Sequence, residues 1–200
     1  MDKTDYDYAM NDFIHVLLEA SACRPVLQFN RVDFRLDWLK CQFPSSKIVH
    51  IYRNPRDQWC STLRSDESYS KSSSGGRGFI DHFYLNQWCQ DLIKQFPFLK
   101  FYDNHHRYFQ FYLIWKLSYC YGRHFGDISV SLEELSENPK SEIENVLRVI
   151  GTDTKVYQSQ FPFIEEVTSR WEMYADDSWF SSIEEECNQV VDDFLIGDSK

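Results

Sequence analysis

The 200-residue chain is 42% apolar and 26% charged, enough to build a core, and this excludes a disordered tail. Seven Gly and six Pro exclude collagen-like or low-complexity architecture, and no run approaches the roughly 18 apolar residues of a membrane span. The net charge of −10 is unevenly spread: residues 1–126 hold 16 basic and 13 acidic side chains, residues 127–200 hold 5 and 18. Nucleic acid is therefore not an expected partner, because no broad basic face can release counterions. A small anion held by a few converging cations of the first half is compatible with this balance. The acidic final third reads as solvated surface.

Met1-Asp2-Lys3-Thr4-Asp5 lacks the basic and apolar regions of a signal peptide, so a cytoplasmic protein is expected. Six cysteines form no C-x-x-C pair, and they are expected to be buried, reduced thiols. His105-His106 has no acid or cysteine at ligand spacing; a surface loop is expected there, and no metal site.

In chain order, Phe13, Val16, Leu17 and Ala20 recur at helical spacing and predict a helix over 8–20. Val26-Leu27-Gln28-Phe29 is a strand candidate after Pro25. Leu36, Leu39 and Phe43 predict a helix over 32–43 that stops at Pro44. Residues 47–53 form a β-branched run of the buried kind, expected in the interior of a parallel sheet. Asn54 and Pro55 follow as N-cap and first helical residue, with Asp57 at N3, where a carboxylate suits the helix dipole. Six Ser and three Gly mark residues 65–78 as a loop. Aromatic helices are expected over 79–96 and 107–121, and Asp127 to Ser131 forms a second clear strand. Asn138-Pro139 opens a helix with Ile143, Val146, Leu147 and Ile150 on one face, closed by Gly151. A last amphipathic helix over about 180–195 places Ile183, Cys187, Val190, Val191 and Phe194 on one side. Strands alternating with helices predict an α/β fold, a parallel sheet of about three visible strands flanked by helices. A single domain over 1–200 is expected, with an acidic helical part over about 152–200.

The segment from Ile48 to Ser61 carries the chemistry. It places Arg53 at the carboxyl end of a buried strand, where open α/β sheets bind ligands. The following helix presents unpaired amides and the positive end of its dipole, and Ser61 lies two turns along it. An arginine and a serine converging there make a phosphate-sized anion site. On chemistry alone, a structural turn and an anion site explain the segment equally well.

Arg53-Asn54-Pro55-Arg56-Asp57, with Ser61 eight residues after the arginine, resembles the 3′-phosphate-binding motif of sulfotransferases. A second match follows: Leu132-Glu133-Glu134-Leu135, then Glu137-Asn138-Pro139, then Ile150-Gly151. These resemble the family's Tyr-Glu-Asp-Leu segment, its Asn-Pro helix start and its closing Leu-Gly. The resemblance covers about residues 25–151. It implies a P-loop nucleotide kinase-like architecture, with 3′-phosphoadenosine 5′-phosphosulfate as co-substrate and a hydroxyl or amine acceptor. It further implies that Arg53 and Ser61 bind the 3′-phosphate of the nucleotide.

Several positions depart from the family pattern. Residues 1–24 hold nothing like the Gly/Ser/Thr-rich 5′-phosphosulfate loop, so the first strand and that loop are expected to be missing. Ser72-Ser73-Ser74-Gly75-Gly76-Arg77-Gly78 has a similar composition in the wrong order, and reads as a flexible loop that could gate the acceptor. Arg31 occupies the place of the family's catalytic histidine, and arginine is no base at neutral pH. Asp33 and Asp37 are nearby carboxylates better explained as a solvated helix face. Leu132 replaces the tyrosine on the adenine side, and Arg170 is the one late arginine that could reach a phosphate, with an ordinary surface arginine the commoner reading. Trp88 and Tyr108 are candidate acceptor-pocket rings, with core packing the commoner use. A non-catalytic nucleotide-binding or interaction protein is the rival reading. A P-loop kinase is disfavoured by the lack of G-x-x-x-x-G-K-[ST].

Overall fold

The computed structural model describes residues 3–63, 81, 84–102, 105–152 and 170–197. The chain divides into two units, Met1–Ser46 and Lys47–Lys200. The loop expected over 65–78 lies outside the described residues.

The first unit is helical, with α1 over Lys3–Glu19, a 3-10 turn over Asp33–Arg35 and α2 over Leu36–Gln42. Arg35 Nη1 donates to Asp7 Oδ1 at 3.1 Å, and Asn11 Nδ2 to Gln42 Oε1 at 3.2 Å. Leu36 is buried, as the expected stripe of α2 requires. The expected stripe of α1 is not the buried one. Phe13 and Val16 are exposed, whereas Ile14 is buried, flanked by half-buried Met10, Leu17 and Leu18. Two apolar stripes run side by side on this helix, and periodicity alone does not choose between them. Val26–Phe29 is not a strand: no ladder pairs the segment, and Val26 is 88% exposed. A strand needs a paired neighbour for its amides, and no strand is described in this unit.

In the second unit, β1 spans Val49–Tyr52 and β2 spans Ile128–Ser131. They pair in parallel, with Val49 opposite Ile128 and Tyr52 opposite Ser131. Asp127 sets this register from below. Its carboxylate accepts from the Ile48 N–H at 2.9 Å and from Lys47 Nζ at 3.1 Å. The α/β class is thus present in coarse form, helices with one small parallel sheet. The sheet has two strands among the described residues rather than three. Interior placement of β1 is corrected accordingly, since β2 is its one described neighbour and Ile51 is 60% exposed.

Around the sheet lie α3 (Pro55–Thr62), α4 (Leu85–Leu92), a 3-10 turn (Pro97–Tyr102) and α5 (Arg107–Phe125). Four more helices follow: α6 (Leu132–Glu137), α7 (Pro139–Val149), α8 (Trp171–Tyr174) and α9 (Asp177–Gly197). The helix expected over 79–96 is shorter. The Asp81 carboxylate accepts from the Leu85 and Asn86 N–H groups and starts α4 there, while residues 79, 80, 82 and 83 lie outside the described set. The core centres on α5 against α9, where Tyr108, Leu113, Leu117, Phe180, Cys187 and Val191 are fully buried. Cys60, Cys89 and Cys187 are buried thiols as expected, but Cys23 and Cys41 are exposed. No described helix is long and apolar enough to cross a membrane.

His50 joins sheet to helix. Its ring packs on Gly122 of α5, and Nδ1 lies 3.1 Å from Ser129 Oγ on β2. Burial, then the Arg123 charge, pushes its pKa below the usual 6.5. The unfolded chain therefore takes up the proton more readily. The histidine's contribution to stability is complete above 6.5 and is lost as pH falls through 6.5 toward the lower folded value. Urea unfolding between about pH 7.5 and pH 5.5 is expected to show stability falling with pH, and His50→Gln should flatten that slope. An unchanged slope in the variant would assign the pH dependence to other groups.

Candidate anion-binding site

Arg53 stands at the carboxyl end of β1, one residue past Tyr52. Its carbonyl accepts from Trp115 Nε1 of α5 at 3.1 Å, which fixes the backbone where the strand turns into α3. The turn forms as its residues dictate: Asn54 Oδ1 accepts from the Arg56 N–H at 2.9 Å, and Pro55 occupies the first helical position. The Arg53 side chain is half-buried, and Nε is buried without a hydrogen-bond partner among the described residues. An unsatisfied guanidinium nitrogen at a strand end is a donor awaiting an acceptor.

The two motifs, about 80 residues apart in sequence, meet here. The Asn54 N–H donates to Glu133 Oε1 at 2.9 Å, and Ser131 Oγ donates to Glu133 Oε2 at 2.8 Å. Ser131 Oγ also caps α6 by accepting from the Glu134 N–H at 3.2 Å. Glu133 thus bridges the ends of both strands, a role its place in the sequence did not disclose.

Asp57 sits at N3 of α3 as expected but looks elsewhere. It is 6% exposed, and it accepts from the backbone N–H groups of Arg170 and Trp171 at the start of α8. Burial raises its pKa; the Arg53 charge pulls it down, and Glu133 pushes it up further. Its Oδ1 has no partner among the described residues. Ser61 lies on the last turn of α3, exposed, with its hydroxyl donating to the Gln58 carbonyl at 2.7 Å. No hydrogen bond joins Ser61 to Arg53 among the described residues. To meet an anion, the Ser61 hydroxyl has to rotate off its own helix.

Arg56, the second arginine of the motif, is fully engaged. It makes a bidentate pair with Glu184 at 2.8 Å and 2.8 Å, and adds Asp177 at 2.6 Å and Ser181 at 3.1 Å. Its guanidinium carbon lies 4.9 Å from the Trp171 ring centroid and 5.1 Å from that of Phe180. The signal for this network was in the sequence: Glu184 falls on the same stripe as Phe180, Cys187 and Val191, a charge on the inward face of an amphipathic helix.

Other candidates disperse. Tyr108 is fully buried, with its hydroxyl donating to Glu184 Oε1 at 2.6 Å, so it lines no acceptor pocket. Trp88 is half-buried on α4. His106 is more than a loop residue, because its Nδ1 accepts from the Tyr108 N–H at 3.1 Å and caps α5. Arg170 is exposed at the start of α8. Arg31 lines an open cleft within the first unit with Met10, Phe29, Asn30, Val32 and Arg35. No group of metal-ligating side chains occurs among the described residues. Comparison of the chain with protein-family models, with curated proteins and with solved structures finds no match.

Proposed function

We propose that the protein binds a 3′-phosphorylated adenine nucleotide at the carboxyl end of β1, as a member of the sulfotransferase family with a P-loop nucleotide kinase-like fold. The observation that carries this reading is Arg53: a strand-end guanidinium with an unpartnered buried nitrogen, next to a capped helix start. Its neighbour Arg56 is neutralised by Glu184 and Asp177, so Arg53 is the motif arginine available to an anion. The meeting of the Arg-Asn-Pro and Leu-Glu-Glu-Leu motifs through Asn54 and Glu133 supports the same reading.

The reaction proposed is in-line transfer of a sulfuryl group from 3′-phosphoadenosine 5′-phosphosulfate to a hydroxyl or amine. Positioning of the donor and stabilisation of developing negative charge do most of the work in such transfers. Arg53 holds the 3′-phosphate by charge-assisted hydrogen bonds, the dipole of α3 favours the same anion, and Ser61 adds a hydroxyl after rotation. A second reading, nucleotide binding without transfer, is favoured by Arg31 at the place where the resemblance puts a histidine base.

Titration calorimetry with adenosine 3′,5′-bisphosphate tests the binding. Arg53→Ala is expected to weaken it by about tenfold to a hundredfold, from charged hydrogen bonds worth about 1.5–3 kcal/mol each. Ser61→Ala should have a smaller effect. Equal binding by wild type and Arg53→Ala would reduce Arg53 to a turn residue. A sulfuryl-transfer assay on the same preparation separates the two readings.

A further inference from the structure

The first two side chains of α3 that follow Pro55 both reach into the acidic C-terminal part. Arg56 pairs with Glu184, Asp177 and Ser181 of α9, and Asp57 accepts from the backbone at Arg170 and Trp171. Helix α3 has eight residues, too few to hold its own axis in water. Its direction, and that of the Arg53 turn before it, is set by what its residues are tied to. Glu184 is anchored from a second side by the Tyr108 hydroxyl of α5. The guanidinium–carboxylate fork thus sits in a fixed frame, with side chains 13% and 15% exposed.

We propose that Arg56 and Glu184 are positioning residues for the anion site, and that α9 is part of that site's scaffold rather than solvated surface. This inference rests on the reading of Arg53 as the phosphate ligand. The fork fixes the start of α3, and through it the angle at which Arg53 presents its unpartnered nitrogen. Arg56 itself does not face the anion, since two carboxylates neutralise it.

The test is a double-mutant cycle read by calorimetric titration with adenosine 3′,5′-bisphosphate, on full-length variants whose circular dichroism shows them folded at the titration temperature. Glu184→Gln keeps the shape but loses the charge, and is expected to weaken binding about tenfold. In an Arg53→Lys background the same change should cost less than about twofold, because the geometry it sets no longer matters to a point charge. Arg56→Lys should retain more affinity than Arg56→Met. If Glu184→Gln does not fold, Asp177→Asn replaces it: this exposed partner should cost about twofold to threefold, again only with Arg53 present. An equal loss in both backgrounds, or no loss, overturns the proposal while leaving the phosphate reading intact. Wild-type binding that does not depend on Arg53 overturns the phosphate reading, and the proposal with it.

Discussion

Gly122→Ala is expected to destabilise the second unit by about 2–3 kcal/mol, although alanine is the better helix former. A Cβ at this position overlaps Cγ, Cδ2 and Nε2 of His50, which are ring atoms and not the far end of a flexible chain. The ring has little room to retreat. It stacks on Tyr52 at 5.5 Å, meets Tyr119 edge-on at 6.2 Å and hydrogen-bonds Ser129 across the sheet. Relief therefore requires α5 to lift from β1, which loosens the contact that seats the sheet. The decisive comparison is made in a His50→Ala background. There the overlap is gone, and Gly122→Ala should become neutral or stabilising by up to about 1 kcal/mol, the ordinary glycine-to-alanine gain in a helix. Urea unfolding of the four proteins measures this change of sign. A harmless Gly122→Ala in the wild-type background would mean that helix and strand do not approach this closely.

Gly122 also shows where sequence reading stops. Nothing near it marks a close approach, because the residue that demands it lies 72 positions earlier, on β1. The junction of β1 and α3 was legible because each part is local: an uninterrupted β-branched run, an asparagine that caps, a proline that tolerates the first helical position. The same holds for β2 and for α9, whose stripe needs no knowledge of its partner. The strand expected at Val26–Phe29 failed because a ladder is a property of two segments. The buried face of α1 differs from the expected one because Phe13 and Val16 compete with Ile14 on local pattern alone. At the candidate site, Arg53 and Asn54 could be named from spacing. Glu133 and Trp115, which fix the turn from β2 and α5, could not.

The acidic final third is solvated surface, as its composition predicts, at outward carboxylates such as Glu185, Asp192 and Asp193. That does not hold for Glu184. A charge count does not place a residue on a helix face: Glu184 stands four residues after Phe180 and three before Cys187, and so faces inward. A charge on that face either costs several kcal/mol or has a partner. Its partner is Arg56, 128 residues away.

Arg56→Ala is accordingly expected to cost about 3–5 kcal/mol, the penalty for leaving the other member of a buried pair alone. Asp177, 73% exposed, can turn to water once the guanidinium is gone. Glu184, 15% exposed, cannot, and the partner it retains among the described residues is the Tyr108 hydroxyl. Burial and the Glu184 charge already hold the Tyr108 hydroxyl far above its ordinary pKa, so it remains a neutral donor and cannot replace a cation. The penalty therefore measures the stranded charge more than the worth of the bridge, and removing both partners discriminates between the two. Arg56→Met with Glu184→Leu should recover most of the loss, since Trp171 and Phe180 offer apolar walls to the replacements. Tyr108→Phe should recover more, because the hydroxyl otherwise loses its acceptor at a cost of about 1–3 kcal/mol. Denaturant titrations of the single, double and triple variants give this order directly. A loss below about 1 kcal/mol for Arg56→Ala would instead describe a solvated surface pair, and α9 would then be held in place by its apolar stripe against α5 and not by its tie to α3.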